Sequence, residues 1–301
     1  MRIFLIGASG AIGYSLFKYL KKKKNLYVKG TYNENFKKGL IQFNLNKDKI
    51  NKTFKQLKES DTFLILAAKT NNNWVFKNYS KARKININST INLINDLKNF
   101  NCKIIYFSSA EIFDGKKGFY TEKDFGNPVS KYGKTKNFVE KYLLNRKYSN
   151  YSIVRTGGNI GLNTNYKCMI SQTYISLQKN YPKMAKDNLF TITHEEDFNR
   201  GIYKLLCYLK DKTKLNQKIF HIASDTILSR VKFAKLIIKN SKKIKNIKFK
   251  TVKFNQIIYN EKRAAKNNLI SKHTRKLLKI KFRKPEEIIK QKIRLLEKNE
   301  E

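Results

Sequence analysis

The stretch Arg2–Gly13, RIFLIGASGAIG, decides the fold of this 301-residue chain. Its apolar part, Arg2–Ile6, is typical of a β-strand and leads into three glycines spaced GxxGxxG, with a helical pattern to about Lys24. A strand, a glycine turn and a helix in this order predict a dinucleotide site, because glycines let backbone N–H groups approach a pyrophosphate at the helix N-terminus. The chain has only 13 glycines, so three of them rarely fall in this register by chance.

Apolar strands and amphipathic helices alternate beyond this first unit. Such alternation predicts an α/β fold with a Rossmann-type, doubly wound parallel sheet. The expected strands are Arg2–Ile6, Leu26–Tyr32, Leu40–Phe43, Thr62–Ala67, Lys103–Ser108, Tyr151–Arg155, Leu189–Thr193 and Ile219–Ile222. The expected helices are a stretch that follows the Gly7–Gly13 turn and runs to about Lys24, Ile50–Lys58, Phe76–Phe100, Ser130–Arg146, Tyr166–Lys179, Glu195–Leu209 and most of the chain from Ser229 onward.

Two interleaved lobes are expected, because the alternation loosens after about Gly157 and no linker separates the two parts. Residues 1–156 are predicted to form the dinucleotide-binding Rossmann domain, with a segment at about 189–225 returning to it. Residues 157–188 and 226–301 are predicted to form a smaller, mostly helical substrate-binding lobe.

The formal charge of +43 comes mainly from lysine. The chain has 65 Lys+Arg against 22 Asp+Glu, and only ten of the basic residues are arginine. Proteins that read nucleic acid favour arginine for its bidentate fork, so a solvated lysine surface explains the charge better than a nucleic-acid partner. From Arg230 to Lys284 the only acid is Glu261, and this part of the chain is expected to attract nucleotide diphosphates.

The cysteines and the lengths of the apolar segments indicate the cellular compartment in which the protein is expected. Cys102, Cys168 and Cys207 are far apart and form no CxxC pair, which favours a reducing cytoplasm and predicts neither disulfides nor a metal site. No segment reaches the roughly 18 apolar residues that a bilayer span requires, so no membrane partner is expected.

The end of the second strand bears on the choice of cofactor. That strand runs into Gly30-Thr31-Tyr32-Asn33, with no acid before Glu34 and with Lys37 and Lys38 beyond. A carboxylate directly after this strand would hold the ribose 2′-OH of NAD and repel a 2′-phosphate. Its absence favours NADP(H) over NAD(H).

Tyr132 and Lys136 lie four residues apart, on one face of a predicted helix. An ammonium beside a phenol favours the phenolate and suits the phenol to proton exchange. With 17 tyrosines and so many lysines, however, the chain produces such pairs by chance. Context distinguishes this pair, because upstream of it the predicted strand Lys103–Ser108 leads into Ser109, and strand ends in such sheets face the ligand crevice.

These residues resemble the extended short-chain dehydrogenase/reductases that act on nucleotide-sugars, and most of all the dTDP-4-dehydrorhamnose reductase group. The similarity covers nearly the whole chain. It is carried by GASGAIG at Gly7–Gly13, DTFLILAAKT at Asp61–Thr70, NINST at Asn86–Thr90, SSAEIFDG at Ser108–Gly115 and PVSKYGKTK at Pro128–Lys136.

The resemblance implies roles for individual residues. Ser109 would polarise the substrate carbonyl, Tyr132 would be the acid, Lys136 would hold the nicotinamide ribose, and Asn86 would support the network behind Lys136. The implied cofactor contacts are Gly7, Ser9, Gly10, Ala11, Ile12, Gly13, Asn33, Asn44, Leu45, Ala67, Ala68, Lys69, Tyr132 and Lys136. The implied substrate contacts are Thr70, Trp74, Ser109, Ala110, Asn159, Thr193 and His194.

Departures from the family pattern keep alternatives open. Asn44 stands where the family usually has an adenine-contacting Asp, and Gly158 stands where reductases often carry an aromatic residue. Glu111 stands where the reductase group more often has Tyr and where dehydratases and decarboxylases carry Glu. Ala110, however, replaces the Asp that most dehydratases place before that Glu.

Three functions are therefore considered. The first is an NAD(P)H-dependent reductase of a nucleotide-activated keto-deoxysugar, with Tyr132 as the acid. The second is a nucleotide-sugar epimerase or dehydratase with tightly bound NAD(P) and Glu111 as the base. The third is a non-catalytic nucleic-acid-binding protein on the same fold. A homodimer is a further expectation from the family.

Overall fold

Parallel β-strands form the centre of the molecule. The computed structural model describes residues 1–145, 148–162, 168–179, 181–210 and 217–298. The described strands are β1 Arg2–Ile6, β2 Tyr27–Tyr32, β3 Ile41–Gln42, β4 Thr62–Ile65, β5 Lys103–Phe107, β6 Tyr151–Arg155, β7 Asn159–Ile160, β8 Lys183–Ala185, β9 Leu189–Thr191, β10 Thr193–His194, β11 Ile219–His221, β12 Ile227–Ser229 and β13 Lys250–Val252.

Helices connect most of these strands. The described helices are α1 Ala11–Lys21, α2 Ile50–Thr53, α3 Asn72–Lys77, α4 Tyr79–Arg83, α5 Thr90–Asn99, α6 Lys131–Leu144, α7 Met169–Leu177, α8 Glu195–Lys210, α9 Arg230–Asn240, α10 Lys272–Leu278 and α11 Pro285–Lys298. Shorter turns are the π-helical Lys84–Ser89 and the 3₁₀ turns Ala110–Ile112 and Phe254–Gln256. Among the described helices, none is long and apolar enough to cross a bilayer.

The central sheet has the order β11-β6-β5-β4-β1-β2-β3 among the described strands, and every neighbouring pair is parallel. Side chains alternate between its faces, so Ile3 and Leu5 pack under α1 and α8, whereas Phe4 and Ile6 pack under α5 and α6. Both faces are buried, as a parallel sheet requires. The expected doubly wound α/β fold is confirmed.

The second lobe has a core of its own, made mainly by α7, α9 and α11. Strand β9 pairs with β12 and not with the central sheet, so of the predicted returning segment it is α8 and β11 that pack in the Rossmann domain. The region from Ser229 onward is helical at α9, α10 and α11, as expected, whereas the stretch between α9 and α10 contains β13 and irregular chain.

Several predicted helices differ from the observed ones because side chains override periodicity. Helix α2 ends at Thr53, since Phe54 turns extended and its ring packs 4.8 Å from that of Phe4. The predicted helix Phe76–Phe100 is split at Asn78, whose side chain donates to the Trp74 carbonyl. Arg146, the expected end of one helix, and Tyr166, the expected start of another, lie outside the described residues.

A buried ion pair joins α6 to β6. Arg155 and Glu140 are each 1% exposed. The guanidinium donates to the carboxylate at 2.8 Å from Nη2 and 3.2 Å from Nε, and Nη1 donates to the Asp124 carbonyl at 2.9 Å. The guanidinium also lies 5.2 Å from the centroid of the Phe113 ring. These contacts fasten α6 to the sheet and to the loop before it.

Glu140→Gln should destabilise the protein strongly, because it leaves the Arg155 guanidinium buried without a countercharge. We expect a loss of about 3 kcal/mol in the free energy of unfolding, measured by urea denaturation. The control is Asp96→Asn, which removes an exposed pair with Lys49 at 4.0 Å and should cost less than about 1 kcal/mol. Equal effects of the two substitutions would contradict this account of the ion pair.

Candidate active site

A cavity of about 760 Å³ lies between the carboxyl ends of the central strands and the second lobe. Its walls include the turn after β1, the ends of β2, β4 and β5, one face of α6, and residues of the second lobe. This is the crevice in which doubly wound sheets bind their ligands, because the carboxyl ends of parallel strands all open at the same edge.

The glycine turn forms one end of the cavity. Gly7 has φ +84°, and a Cβ there would lie 2.6 Å from the Ala67 Cα, so only glycine fits. Gly10 is the N-cap of α1, a Cβ there would lie 3.8 Å from the Gly7 carbonyl oxygen, and no side chain among the described residues caps this helix end. The first backbone N–H groups of α1 therefore face the cavity, and this arrangement fits the pyrophosphate of a dinucleotide.

The expected cofactor contacts line this part of the cavity, including Ser9, Ala11, Ile12, Gly13, Asn33, Asn44, Leu45, Ala67, Ala68 and Lys69. Glu34 lines it as well, and its carboxylate pairs with the Lys69 ammonium at 3.3 Å. An acid is therefore present near the expected adenosine ribose, two residues after β2 ends.

Ser109, Tyr132 and Lys136 line the same cavity, although 23 residues of sequence separate the first two. Ser109 follows β5, and its hydroxyl accepts from the Glu111 N–H at 3.2 Å. Tyr132 and Lys136 project from α6, which Ser130 caps by accepting from the Gly133 N–H at 3.0 Å. The geometry thus brings the three expected catalytic residues to one wall.

Gly133 allows α6 to lie close to the turn that carries Glu111. A Cβ at this position would lie 2.0 Å from the Glu111 carbonyl oxygen, so no side chain fits between them. The close packing of α6 against this turn therefore requires glycine at position 133, between Tyr132 and Lys134.

Lys136 is 3% exposed, and its ammonium lies 4.3 Å from the centroid of the Tyr106 ring. Burial lowers the pKa of Lys136 to about 7, and the Glu140 carboxylate opposes this shift. Tyr106 is itself buried, and its hydroxyl has no hydrogen-bond partner among the described residues. The ring supplies the ammonium with a cation–π contact in place of water.

Asn86 lies behind the wall, in the π-helical turn. Its amide accepts from the Lys69 N–H at 2.8 Å and donates to the Lys69 carbonyl at 2.9 Å. It also donates to Thr135 Oγ1 at 3.2 Å. Asn86 therefore contacts the neighbour of Lys136 on α6 and fixes the chain after β4, where Ala67, Ala68 and Lys69 line the cavity.

Glu111 lines the cavity beside these residues. Its carboxylate accepts from Asn267 Nδ2 at 2.9 Å and from Ser130 Oγ at 3.4 Å. Burial raises the pKa of Glu111, while the Arg263 charge and the two hydrogen bonds partly offset the effect. The group is thus held in place and biased toward its neutral form.

The expected substrate contacts divide into two groups. Thr70, Ser109 and Asn159 line the cavity, whereas Trp74, Ala110, Thr193 and His194 are not among the described residues that line it. Thr193 is fully buried and accepts from the Ser224 N–H at 2.9 Å, and His194 is fully buried against Arg283. Trp74 is partly buried and packs against the cluster of Val75, Ala82 and Tyr132. Of these residues, Thr193 and His194 are held in the protein interior.

Two arginines that were not singled out in the sequence line the substrate end of the cavity. Arg230 donates to Asn188 Oδ1 at 3.0 Å and lies over the Phe190 ring, and Arg263 lies over the Tyr259 ring. Both fall in the basic stretch of the C-terminal third. The excess of basic residues in this stretch was the available signal in the sequence, but it did not distinguish these two arginines from the surrounding lysines.

The fold and the site together define a nucleotide-dependent oxidoreductase of the short-chain dehydrogenase/reductase type. The family model of the RmlD substrate binding domain matches residues 1–297, and the chain belongs to this family. The resemblance to the dTDP-4-dehydrorhamnose reductase group is confirmed.

Solved structures with the same fold include enzymes of two activities. A dTDP-4-dehydrorhamnose reductase from Clostridium acetobutylicum is 25% identical, covers 99% of this chain and 100% of its own, and gives a TM-score of 0.80. One from Bacillus anthracis, solved with NADP, is 19% identical, with 96% and 97% covered and a TM-score of 0.75. A UDP-glucose 4-epimerase from Thermotoga maritima, solved with UDP-glucose, is 17% identical over both full chains, with a TM-score of 0.80.

A curated relative matches only part of the chain. The beta subunit of methionine adenosyltransferase 2 from Rattus norvegicus is 27% identical over 144 residues. The match includes 48% of this chain and spans 42% of the relative's length, which is less than half of that protein.

Lys136→Met should stabilise the protein, because it replaces a buried amine with an apolar side chain. Because burial lowers the pKa of Lys136 to about 7, the folded state carries the full desolvation cost below pH 7. That cost is relieved as the pH rises toward the unfolded value. We expect a gain of about 2–4 kcal/mol in the free energy of unfolding at pH 6, shrinking by pH 9.

Urea denaturation of both proteins at the two pH values measures this difference. Lys134→Met is the matched control, because Lys134 lies on the same helix and is exposed. Its free energy of unfolding should change little at either pH. A Lys136→Met protein that is less stable than the parent at both pH values would contradict the prediction.

Proposed function

We propose that the protein is an NAD(P)H-dependent reductase of a nucleotide-activated keto-deoxysugar. The observation that carries the proposal is the meeting of Ser109, Tyr132 and Lys136 on one wall of a cavity that continues from the open glycine turn to two arginines. Membership of the family and the reductases among the structural relatives support the same activity.

Ser109, Tyr132 and Lys136 have different roles in the proposed carbonyl reduction. The reduced nicotinamide, when bound, supplies the hydride. The Ser109 hydroxyl donates a hydrogen bond to the carbonyl oxygen, and the Tyr132 hydroxyl gives that oxygen its proton. The Lys136 ammonium stabilises the phenolate that remains and holds the nicotinamide ribose. Since the side chains are fixed by β5 and α6, they keep their positions during the transfer.

The arginines support an anionic, nucleotide-activated substrate. Arg230 and Arg263 line the same end of the cavity, and burial lowers the pKa of Arg230. Two partly desolvated guanidiniums repel each other, and a diphosphate between them would relieve that repulsion. The aromatic rings of Tyr259 and Phe254 also line this end and offer flat surfaces for a base.

For the cofactor, we propose a preference for NADPH. No acid directly follows β2, and one structural relative was solved with NADP. Glu34 is paired with Lys69, so its charge is partly compensated near the expected ribose. The same activity assay decides the matter when NADPH and NADH are compared at equal concentration.

An epimerase or dehydratase is the second candidate, and Glu111 is the observation that favours it. The carboxylate lines the cavity, and burial raises its pKa, which makes it a stronger base. The epimerase among the structural relatives has the same fold, so the fold does not separate the two activities.

Tyr132→Phe should lower turnover at least about 100-fold, because it removes the positioned acid while keeping the ring. NADPH consumption at a keto-sugar nucleotide measures the effect. Tyr19→Phe is the matched control, since Tyr19 on α1 and Lys23 just after that helix form the same Tyr-x-x-x-Lys pattern, and the Lys23 ammonium lies 4.6 Å from the centroid of the Tyr19 ring. Wild-type turnover in Tyr132→Phe would refute the proposed mechanism.

Glu111→Gln separates the two candidates. For a reductase we expect turnover within about tenfold of the parent and NADPH consumed in step with product, because no step uses Glu111 as a base. The reaction run in D₂O should leave the carbon beside the carbonyl unlabelled. Deuterium at that carbon in the parent enzyme, lost in Glu111→Gln, would favour the epimerase or dehydratase instead.

A further inference from the structure

A strap of irregular chain, residues 254–267, covers the substrate end of the cavity. Phe254, Tyr259, Arg263, Ala264 and Asn267 line the cavity from the strap. On the outer side, Ile258 is 98% exposed, and Lys262 is exposed as well.

Both ends of the strap are anchored by backbone contacts. At the first end, the Phe254 N–H donates to Asp187 Oδ1 at 2.7 Å. At the other end, Ala265 accepts from the Leu189 N–H at 2.8 Å, and Asn267 donates to the Leu189 carbonyl at 3.1 Å. These contacts tie the ends to the second lobe.

The middle of the strap is held differently. In the part of the chain that is described, no backbone hydrogen bond joins residues 258–264 to another element. Two side chains make the polar contacts to the Rossmann domain instead. Glu261 Oε2 accepts from the Lys131 N–H at 2.8 Å, and Arg263 Nη2 donates to Asn73 Oδ1 at 2.9 Å.

The Glu261 contact lies at the first residue of α6, directly before Tyr132. A carboxylate at a helix N-terminus is favoured by the unpaired N–H groups and the helix dipole. Its other oxygen, Oε1, and Arg263 Nε are buried without hydrogen-bond partners among the described residues. Glu261 thus holds the strap through one of its two carboxylate oxygens.

We propose that Glu261 is a positioning residue that clasps the strap to the first turn of the helix carrying Tyr132. The clasp closes the substrate end of the cavity and holds that end beside the wall formed by Ser109, Tyr132 and Lys136. The inference rests on the proposed function only for the identity of the ligand under the strap.

Limited trypsin digestion without any ligand tests the clasp itself. In Glu261→Ala, cleavage at Lys262 or Arg263, identified from fragment masses, should become at least about fivefold faster, because the strap opens locally. Glu261→Gln keeps an acceptor oxygen and should digest at nearly the parent rate. The control Glu286→Ala, an exposed acid in the first turn of α11, should also match the parent.

Kinetics with NADPH and a keto-sugar nucleotide test the positioning role. Glu261→Ala should raise KM for the sugar nucleotide about tenfold and change kcat less than about threefold, while Kd for NADPH stays unchanged. Glu261→Gln should restore most of the parent KM. A thermal midpoint near that of the parent excludes general destabilisation as the cause.

Parent-like digestion of Glu261→Ala would overturn the proposal, and so would a parent-like KM. A rise in KM together with a weaker NADPH Kd and a lower thermal midpoint would also overturn it, because that is the result of a merely structural residue. If the parent protein reduces no keto-sugar nucleotide, the proposed function fails, and the digestion alone then decides the clasp.

Discussion

The buried ion pair of Arg155 and Glu140 is the interaction on which the site depends. It fastens the helix carrying Tyr132 and Lys136 to β6, and β6 lies beside β5, the strand that leads to Ser109. Through the Asp124 carbonyl, Arg155 also holds the loop that leads into this helix. Neither charge reaches water, so the pair keeps its geometry only while both partners are present. The relative positions of Ser109 and Tyr132 therefore depend on a contact outside the cavity.

Glu140 also acts on Lys136, one of the candidate catalytic residues. The Lys136 ammonium is buried one turn away on the same helix, and Glu140 opposes the fall in its pKa that burial causes. The Tyr106 ring lies against the same ammonium. Burial of this amine costs stability, and the proposed mechanism gives a reason for that cost, because an ammonium beside Tyr132 favours the phenolate. Such local conflicts between stability and chemistry are common at functional sites.

Much of the site was predictable because it lies at strand ends. The glycine turn follows β1, Ala67–Lys69 follow β4, and Ser109 follows β5, and parallel strands bring all these ends to one edge. Thr193 and His194 were expected at the ligand from the resemblance to the reductases. They pair instead with the short strand β7, away from the central sheet, and their side chains are buried. A strand-like pattern does not tell which sheet a strand will join.

By itself, the sequence determined the doubly wound fold, the dinucleotide turn and the Tyr132/Lys136 face of one helix. These features have local periods and spacings that the chain must satisfy whatever surrounds them. Only the tertiary structure decided that Arg230 and Arg263 line one cavity with Glu111, and that Glu261 contacts a helix 130 residues earlier in the chain. Contacts over such separations depend on how the two lobes pack, and packing follows shape complementarity among many side chains. No short stretch of sequence encodes that complementarity.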